Sequence, residues 1–170
     1  LSTGSGNHVA LFSYYAVLNA AIFAIAWWRP WRALNLLGFA FTFGIGTTWG
    51  VMQYNADKFA STEPFLLLFF AFYLLIPILY ARRQPAEKRD LVDGSLVFGT
   101  PLIAFSLQAG MLHDDRLLLA LCALGLAALY AGLAWALIRR ERYAALGQSH
   151  AVLAVGCATL AEPLARSARA

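Results

Sequence analysis

Two groups of side chains in this sequence have the types and spacing for chemistry. The first is ionic: His8, Asp57, Glu63, His113, Asp114 and Asp115 sit in or beside short polar gaps that charge bias assigns to one side of a membrane. Imidazole and carboxylate together suit a divalent metal. No H-x-x-x-H, H-E-x-x-H or C-x-x-C spacing accompanies them, so solvated loop residues are the favoured reading. The second group lies in a long apolar stretch. Asp93 precedes Gly94, Gly99-Thr100-Pro101 falls mid-stretch, and Ser95, Ser106 and Gln108 add polarity; Pro77 interrupts the stretch before it. Gly and Pro free backbone polar groups, and broken helices line many substrate sites. Asp93, Gly99, Thr100 and Pro101 are therefore the candidate substrate path. The plainer alternative is a kinked helix whose Asp93 reaches the inner headgroups, and it is favoured because Pro and Gly are common in membrane helices. With no G-x-S-x-G elbow and no phosphate-cradling loop, no catalytic, cofactor-binding or metal-ligating residue is assigned and no cofactor is expected.

A third set of residues suits helix packing. Gly38, Thr42, Gly46 and Gly50 recur every four residues, as do Ala16, Ala20 and Ala24, and Ala123, Ala127 and Ala131. Residues four apart share a helix face. Small side chains there let two helices approach closely in lipid, where packing replaces the hydrophobic drive. A sliding interface would use the same stripes, but plain bundle packing is the simpler expectation. Tyr14, Tyr15, Asn19, Asn35, Trp49 and Gln53 are placed to hydrogen-bond between the first two helices, each bond worth about 0.6 kcal/mol. Cys122 and Cys157 lie in apolar segments and are expected to pack as small hydrophobes without forming a disulfide.

The elements that must carry these residues are membrane spans. Val9–Trp28, Ala33–Ala56, Pro64–Ala81, Gly94–Leu112 and Leu117–Ile138 contain no Asp, Glu, Lys or Arg. Spanning a bilayer takes about 20 mostly apolar residues. Charged residues are only 13% of the chain and hydrophobic ones 61%, with a mean hydropathy of +0.63; a soluble domain carries about 25% charged residues. A soluble core of this size would leave too much apolar surface exposed. The gaps hold two, one, four, one and three Lys or Arg in turn. That alternation predicts Arg29–Arg32, Arg82–Arg89 and Arg139–Arg142 inside, and the N-terminus outside. The net charge of +4 is read as topology and contact with anionic headgroups, with no nucleic acid as partner.

Boundary signals give spans at about 8–28, 34–53, 64–81, 91–112 and 117–138, with a marginal sixth at about 149–164. Trp27-Trp28-Arg29-Pro30-Trp31-Arg32 ends the first span with interfacial aromatics, cations and a helix-stopping proline. Thr62-Glu63-Pro64 reads as the start of the third, with Thr62 as N-cap and Pro64 in the first turn. No secretory signal precedes Val9, and the start without Met suggests a fragment.

Phe12-Ser13-Tyr14-Tyr15-Ala16, Leu34-Asn35-Leu36-Leu37-Gly38-Phe39, Phe41-Thr42-Phe43-Gly44-Ile45-Gly46-Thr47, Thr62-Glu63-Pro64-Phe65, Leu96-Val97-Phe98-Gly99-Thr100-Pro101 and Ala158-Thr159-Leu160-Ala161 appear in an order that resembles a bacterial membrane-protein family, domain of unknown function 2339. The likeness runs from about His8 to Leu164. It implies an internal piece of a longer multi-pass protein of the bacterial inner membrane, with no established activity or site residue to carry over. It departs at Glu162 and Arg166-Ser167-Ala168-Arg169-Ala170, where the family continues apolar. The expectation is an all-α polytopic transmembrane bundle, a single transmembrane region over 1–170. Its partners would be membrane lipids and further transmembrane helices of the same or another chain. A non-enzymatic envelope scaffold or assembly component is the leading function. The alternative is a transporter or lipid-handling protein using a broken helix four.

Overall fold

In a computed structural model, residues 7–29, 31–83 and 91–168 are described. They form six long helices: α1 (His8–Trp28), α2 (Arg32–Gln53), α3 (Phe59–Arg83), α4 (Leu91–Met111), α5 (Arg116–Ile138) and α6 (Ala144–Ser167). Each has at least 21 residues, or about 30 Å at 1.5 Å per residue, enough to cross the hydrocarbon core. All six have the length and apolar composition of membrane spans. Among the described residues, side-chain caps start α1, where Asn7 accepts from the Ala10 amide, and α5, where Asp115 accepts from the Leu118 amide.

The sixth helix is longer than its sequence signature. It runs 24 residues from Ala144 to Ser167, and Glu162 pairs within it with Arg166 one turn on. The third helix starts earlier than its sequence signature. A 3-10 turn at Ala56–Lys58 leads directly into α3, so Thr62 lies inside the helix instead of capping it. Pro64 and Pro77 are both internal. Helix four is not broken: α4 is continuous through Gly99, Thr100 and Pro101. The Asp93 side chain, Pro30 and the loop 84–90 lie outside the described residues.

The bundle exposes large apolar side chains and buries several polar ones within a mainly apolar core. Val17, Leu37, Phe41, Val51, Leu102, Leu121 and Val155 face outward, while Asn19, Asn35, Thr42, Thr62, Thr100, Gln108 and His150 are buried. With lipid outside, apolar side chains lose nothing by exposure and polar ones must find partners within. α3 is the central helix and packs on α1 and α4, with slighter contact to α2. Its buried face is Thr62, Leu66, Phe69, Tyr73, Ile76 and Tyr80, a spacing of three and four that keeps one seam inward. The α1 stripe does not pack as the alanines predict. Ala20 is exposed, and the buried positions are Phe12, Asn19 and Ala26.

α5 and α6 form the tightest pair. α5 buries Ala123, Ala127, Tyr130, Ala134 and Leu137 at spacings of three and four, and α6 buries Gly147, His150, Ala154 and Ala161 at spacings of three, four and seven. Ala131, the last member of the predicted α5 stripe, is exposed, because the seam shifts to Tyr130 and Ala134 to follow the partner helix. The hairpin is fastened to the other helices where the Arg142 guanidinium donates to the Arg82 carbonyl, at 2.7 Å. Trp27, Trp28, Trp31 and Trp135 are exposed at this same end. Arg82 lies over Trp27, and Arg139 lies 3.6 Å from the Trp135 ring centroid, an arrangement suited to headgroup depth.

Candidate functional site

The interior polar groups gather at two points, and a groove opens beside one of them. The first point joins α1, α2 and α3. Asn19 donates to the Thr42 hydroxyl at 2.8 Å and to the Tyr15 carbonyl at 2.8 Å, and its carbonyl oxygen accepts from the Tyr73 hydroxyl at 2.5 Å. The Thr42 hydroxyl also lies 3.2 Å from the Asn19 oxygen. All three side chains are buried. Phe39 and Phe43 pack their rings on Tyr73, with centroids at 5.3 and 5.7 Å, so the network sits in an aromatic sleeve. Each hydroxyl has a partner only because the three helices meet, and this makes the cluster a structural clasp. Of the other groups expected to bond between helices, Tyr14 and Gln53 are exposed. Asn35 is buried with neither side-chain polar atom partnered among the described residues. Trp49 is buried against His8, with ring centroids at 5.2 Å, beneath the Lys58 ammonium.

The second point joins α3, α4 and α5. The Gln108 amide donates to Glu63 Oε1 at 3.0 Å and lies 3.9 Å from Cys122 Sγ. Glu63 Oε2 and the Thr62 hydroxyl are buried with no hydrogen-bond partner among the described residues. Tyr54, in the loop before α3, donates its hydroxyl to the Met111 carbonyl at 3.3 Å. Burial, and then the Glu63 charge, hold that hydroxyl above the ordinary tyrosine range.

The groove, about 1260 Å³ in volume, lies between α2 and α4 over a floor of Phe12, Phe65 and Phe69. Its α2 wall includes Gly46 and Gly50, and its α4 wall includes Ser106 and Gly110. A Cβ added at Gly46, Gly50 or Gly110 would meet nothing within 4 Å. The predicted packing stripe therefore divides. Gly38 is in contact, since a Cβ there would come within 2.6 Å of Ile22 Cδ1 and 2.8 Å of the Tyr73 hydroxyl. Thr42 is tied to Asn19. Gly46 and Gly50 are not packed against a helix of this bundle, because the groove opens where they point. Gly46→Leu, Gly50→Leu and Phe41→Leu are thus expected to leave the detergent melting temperature close to wild type, whereas Gly38→Leu lowers it by displacing Tyr73 from the clasp.

The candidate substrate-path residues do not line the groove. Thr100 is fully buried and donates to the Leu96 carbonyl at 2.6 Å, a bond within its own helix. Gly99 faces Phe39, whose Cζ would lie 3.3 Å from an added Cβ, so α2 packing accounts for this glycine. Gly94 is exposed. The ionic set on the other side does not converge. His8 bonds the Ser61 hydroxyl at 2.7 Å, Glu63 bonds Gln108, Asp115 caps α5, and His113 pairs with the adjacent Asp114. No three His, Cys, Asp or Glu side chains meet among the described residues.

Buried polar groups that escaped the sequence reading include Tyr73 of the clasp, His150 and Tyr130. His150 packs at a tilt against Tyr130 with ring centroids at 5.4 Å, and its Nδ1 is 2.7 Å from the Leu146 carbonyl; a carbonyl only accepts, so Nδ1 carries the proton. The Tyr130 hydroxyl is buried without a hydrogen-bond partner among the described residues. The α6 seam that places His150 is the only signal for it, and that seam is visible only once the hairpin partner is known.

Comparison with curated proteins and with solved structures yields no match. The family described as predicted membrane protein, DUF2339, matches residues 1–170. Six membrane-length helices with a lipid-compatible exterior fit that description, and the chain belongs to the DUF2339 family of multi-pass membrane proteins.

Proposed function

We propose that this chain is a non-enzymatic scaffold of the bacterial inner membrane, a bundle whose α2–α4 groove takes up a further transmembrane helix of the same or another chain. The observation that carries this reading is the pairing of two small-residue walls, Gly46 and Gly50 facing the groove from α2, and Ser106 and Gly110 from α4. Small residues four apart serve close backbone approach by a helix; an acyl chain has no need of them. The groove lining is almost wholly apolar, and Thr100 is not part of it. A photoreactive side chain at Gly46, activated in native membranes, is expected to give a discrete protein adduct whose cross-linked peptide is an apolar span. Adducts to lipid alone would defeat the scaffold reading and favour the lipid-handling one.

The chain is further proposed to be part of a longer multi-pass protein, with the ends bearing Arg29, Arg82 and Arg139–Arg142 inside and its N-terminus outside. Support comes from the lysine and arginine bias of alternate gaps and the Trp–Arg belt at one end. Single cysteines at Asp114 and at Arg140, both exposed, test the orientation with an impermeant thiol reagent on spheroplasts. Labelling is expected at Asp114 and absent at Arg140, and the opposite pattern would invert the topology.

A further inference from the structure

The Glu63 carboxyl sits on α3, four residues or about 6 Å along the helix from Phe59 at 1.5 Å per residue. An ionisable group with a buried oxygen inside a membrane-spanning bundle needs a partner or a proton. Its partners are few. Gln108, itself only 7% exposed, donates one N–H to Oε1. Oε2 is sealed from solvent and has no hydrogen-bond partner among the described residues. Facing it from the other elements are the Cys122 thiol of α5, next to the Gln108 amide, and the Tyr54 hydroxyl of the loop before α3. Neither can supply positive charge. The flanking cations are engaged or pointed elsewhere: Lys58 donates to the Gln53 carbonyl, His8 bonds Ser61, and Arg116 is exposed at the head of α5. A carboxylate with one neutral donor and one bare buried oxygen is poorly solvated, whereas the neutral acid loses far less.

We propose that Glu63 is a proton-binding site, a carboxyl that takes up a proton from water at the nearer membrane face and holds it on Oε2 while Gln108 fixes Oε1. This site is separate from the α2–α4 groove and stands whether or not a helix docks there. The ligand is the hydrated proton, and the acid form is neutral. Protonation would remove the charge that α3, α4 and α5 otherwise share.

A hydrophobic carbodiimide tests this on the whole chain in membranes. The reagent adds to a protonated carboxyl and rearranges to an N-acylurea, so a modified residue gains the mass of one carbodiimide and nothing leaves. The expected result is modification at Glu63, declining along a single-proton titration as pH rises. Exposed Glu141 should stay unmodified, and the Glu63 adduct should be absent from Glu63→Gln. Gln108→Leu removes a donor that favours the charged form, so its titration should move to higher pH. Modification of Glu63 no faster than Glu141, or a rate independent of pH, would overturn the proposal. Protection by sodium or calcium at fixed pH would also overturn it, since the group would then be a metal-cation ligand. The wild-type chain carries the main result, so a variant that fails to fold leaves the test intact.

Discussion

Gly147→Ala should be among the most damaging single-methyl changes in this protein. A Cβ at that position would lie 2.9 Å from the Ile138 amide nitrogen, 3.2 Å from its Cα and 2.6 Å from its Cγ1. Two of those atoms are backbone at the last residue of α5, so no rotamer change relieves the overlap. The start of α6 must move off the end of α5, and the whole hairpin seam moves with it. Forcing a methyl into packed structure costs about 1–3 kcal/mol, and the backbone obstacle sets this case at the upper end. Gly125→Ala, Gly132→Ala and Gly156→Ala are internal controls in the same two helices, where an added Cβ meets nothing within 4 Å. They should be neutral or gain up to about 1 kcal/mol from better helix propensity. Thermal unfolding in detergent should separate Gly147→Ala from the other three, and a common response would remove the case for a close α5–α6 turn.

Asn19→Leu should rank beside it. The substitution strips the Tyr73 and Thr42 hydroxyls of their shared partner and leaves them buried. An orphaned buried polar group costs about 1–3 kcal/mol, whereas replacing all partners by apolar groups of similar shape can be nearly neutral. The triple change Asn19→Leu, Thr42→Val, Tyr73→Phe is therefore expected to be more stable than Asn19→Leu alone. Unfolding of the single and triple variants, compared in one detergent, checks this. A triple variant as weak as the sum of its parts would mean that the three groups act independently.

Number, approximate ends and orientation bias of the spans are legible in this sequence because charge is confined to the gaps between them. Facing is not. In Arg116–Ile138 both the lipid side, with Leu117 and Leu121, and the protein side, with Ala123 and Ala127, are apolar, so periodicity alone gives no inward direction. Local rules for helix starts misled at Thr62, where a 3-10 turn had already set the backbone of α3. Spacing rules leave Gly46 and Gly50 half-read: a four-residue repeat fixes a common face but not what stands opposite it. Asn19 was readable as an interhelical donor because its amide cannot stay unpaired in lipid. Glu63 read as a loop residue because its distance from the helix start depended on where α3 begins. Gln108 and Cys122, its neighbours, lie 45 and 59 positions further along the chain.

The Asn19–Thr42–Tyr73 clasp also imposes a schedule on biogenesis. Spans leave the translocation machinery in chain order, so α1 and α2 enter lipid before α3 exists to supply the Tyr73 hydroxyl. During that interval Asn19 has Thr42 and its own Tyr15 carbonyl as partners, and the face destined for α3 is bare. The early pair is a polar-seamed intermediate that either waits beside the insertion machinery or is shielded by another membrane component. α5 and α6 face no such delay. They close across Arg139–Tyr143, a short loop with a low closure entropy, and every group of their shared seam arrives within one hairpin.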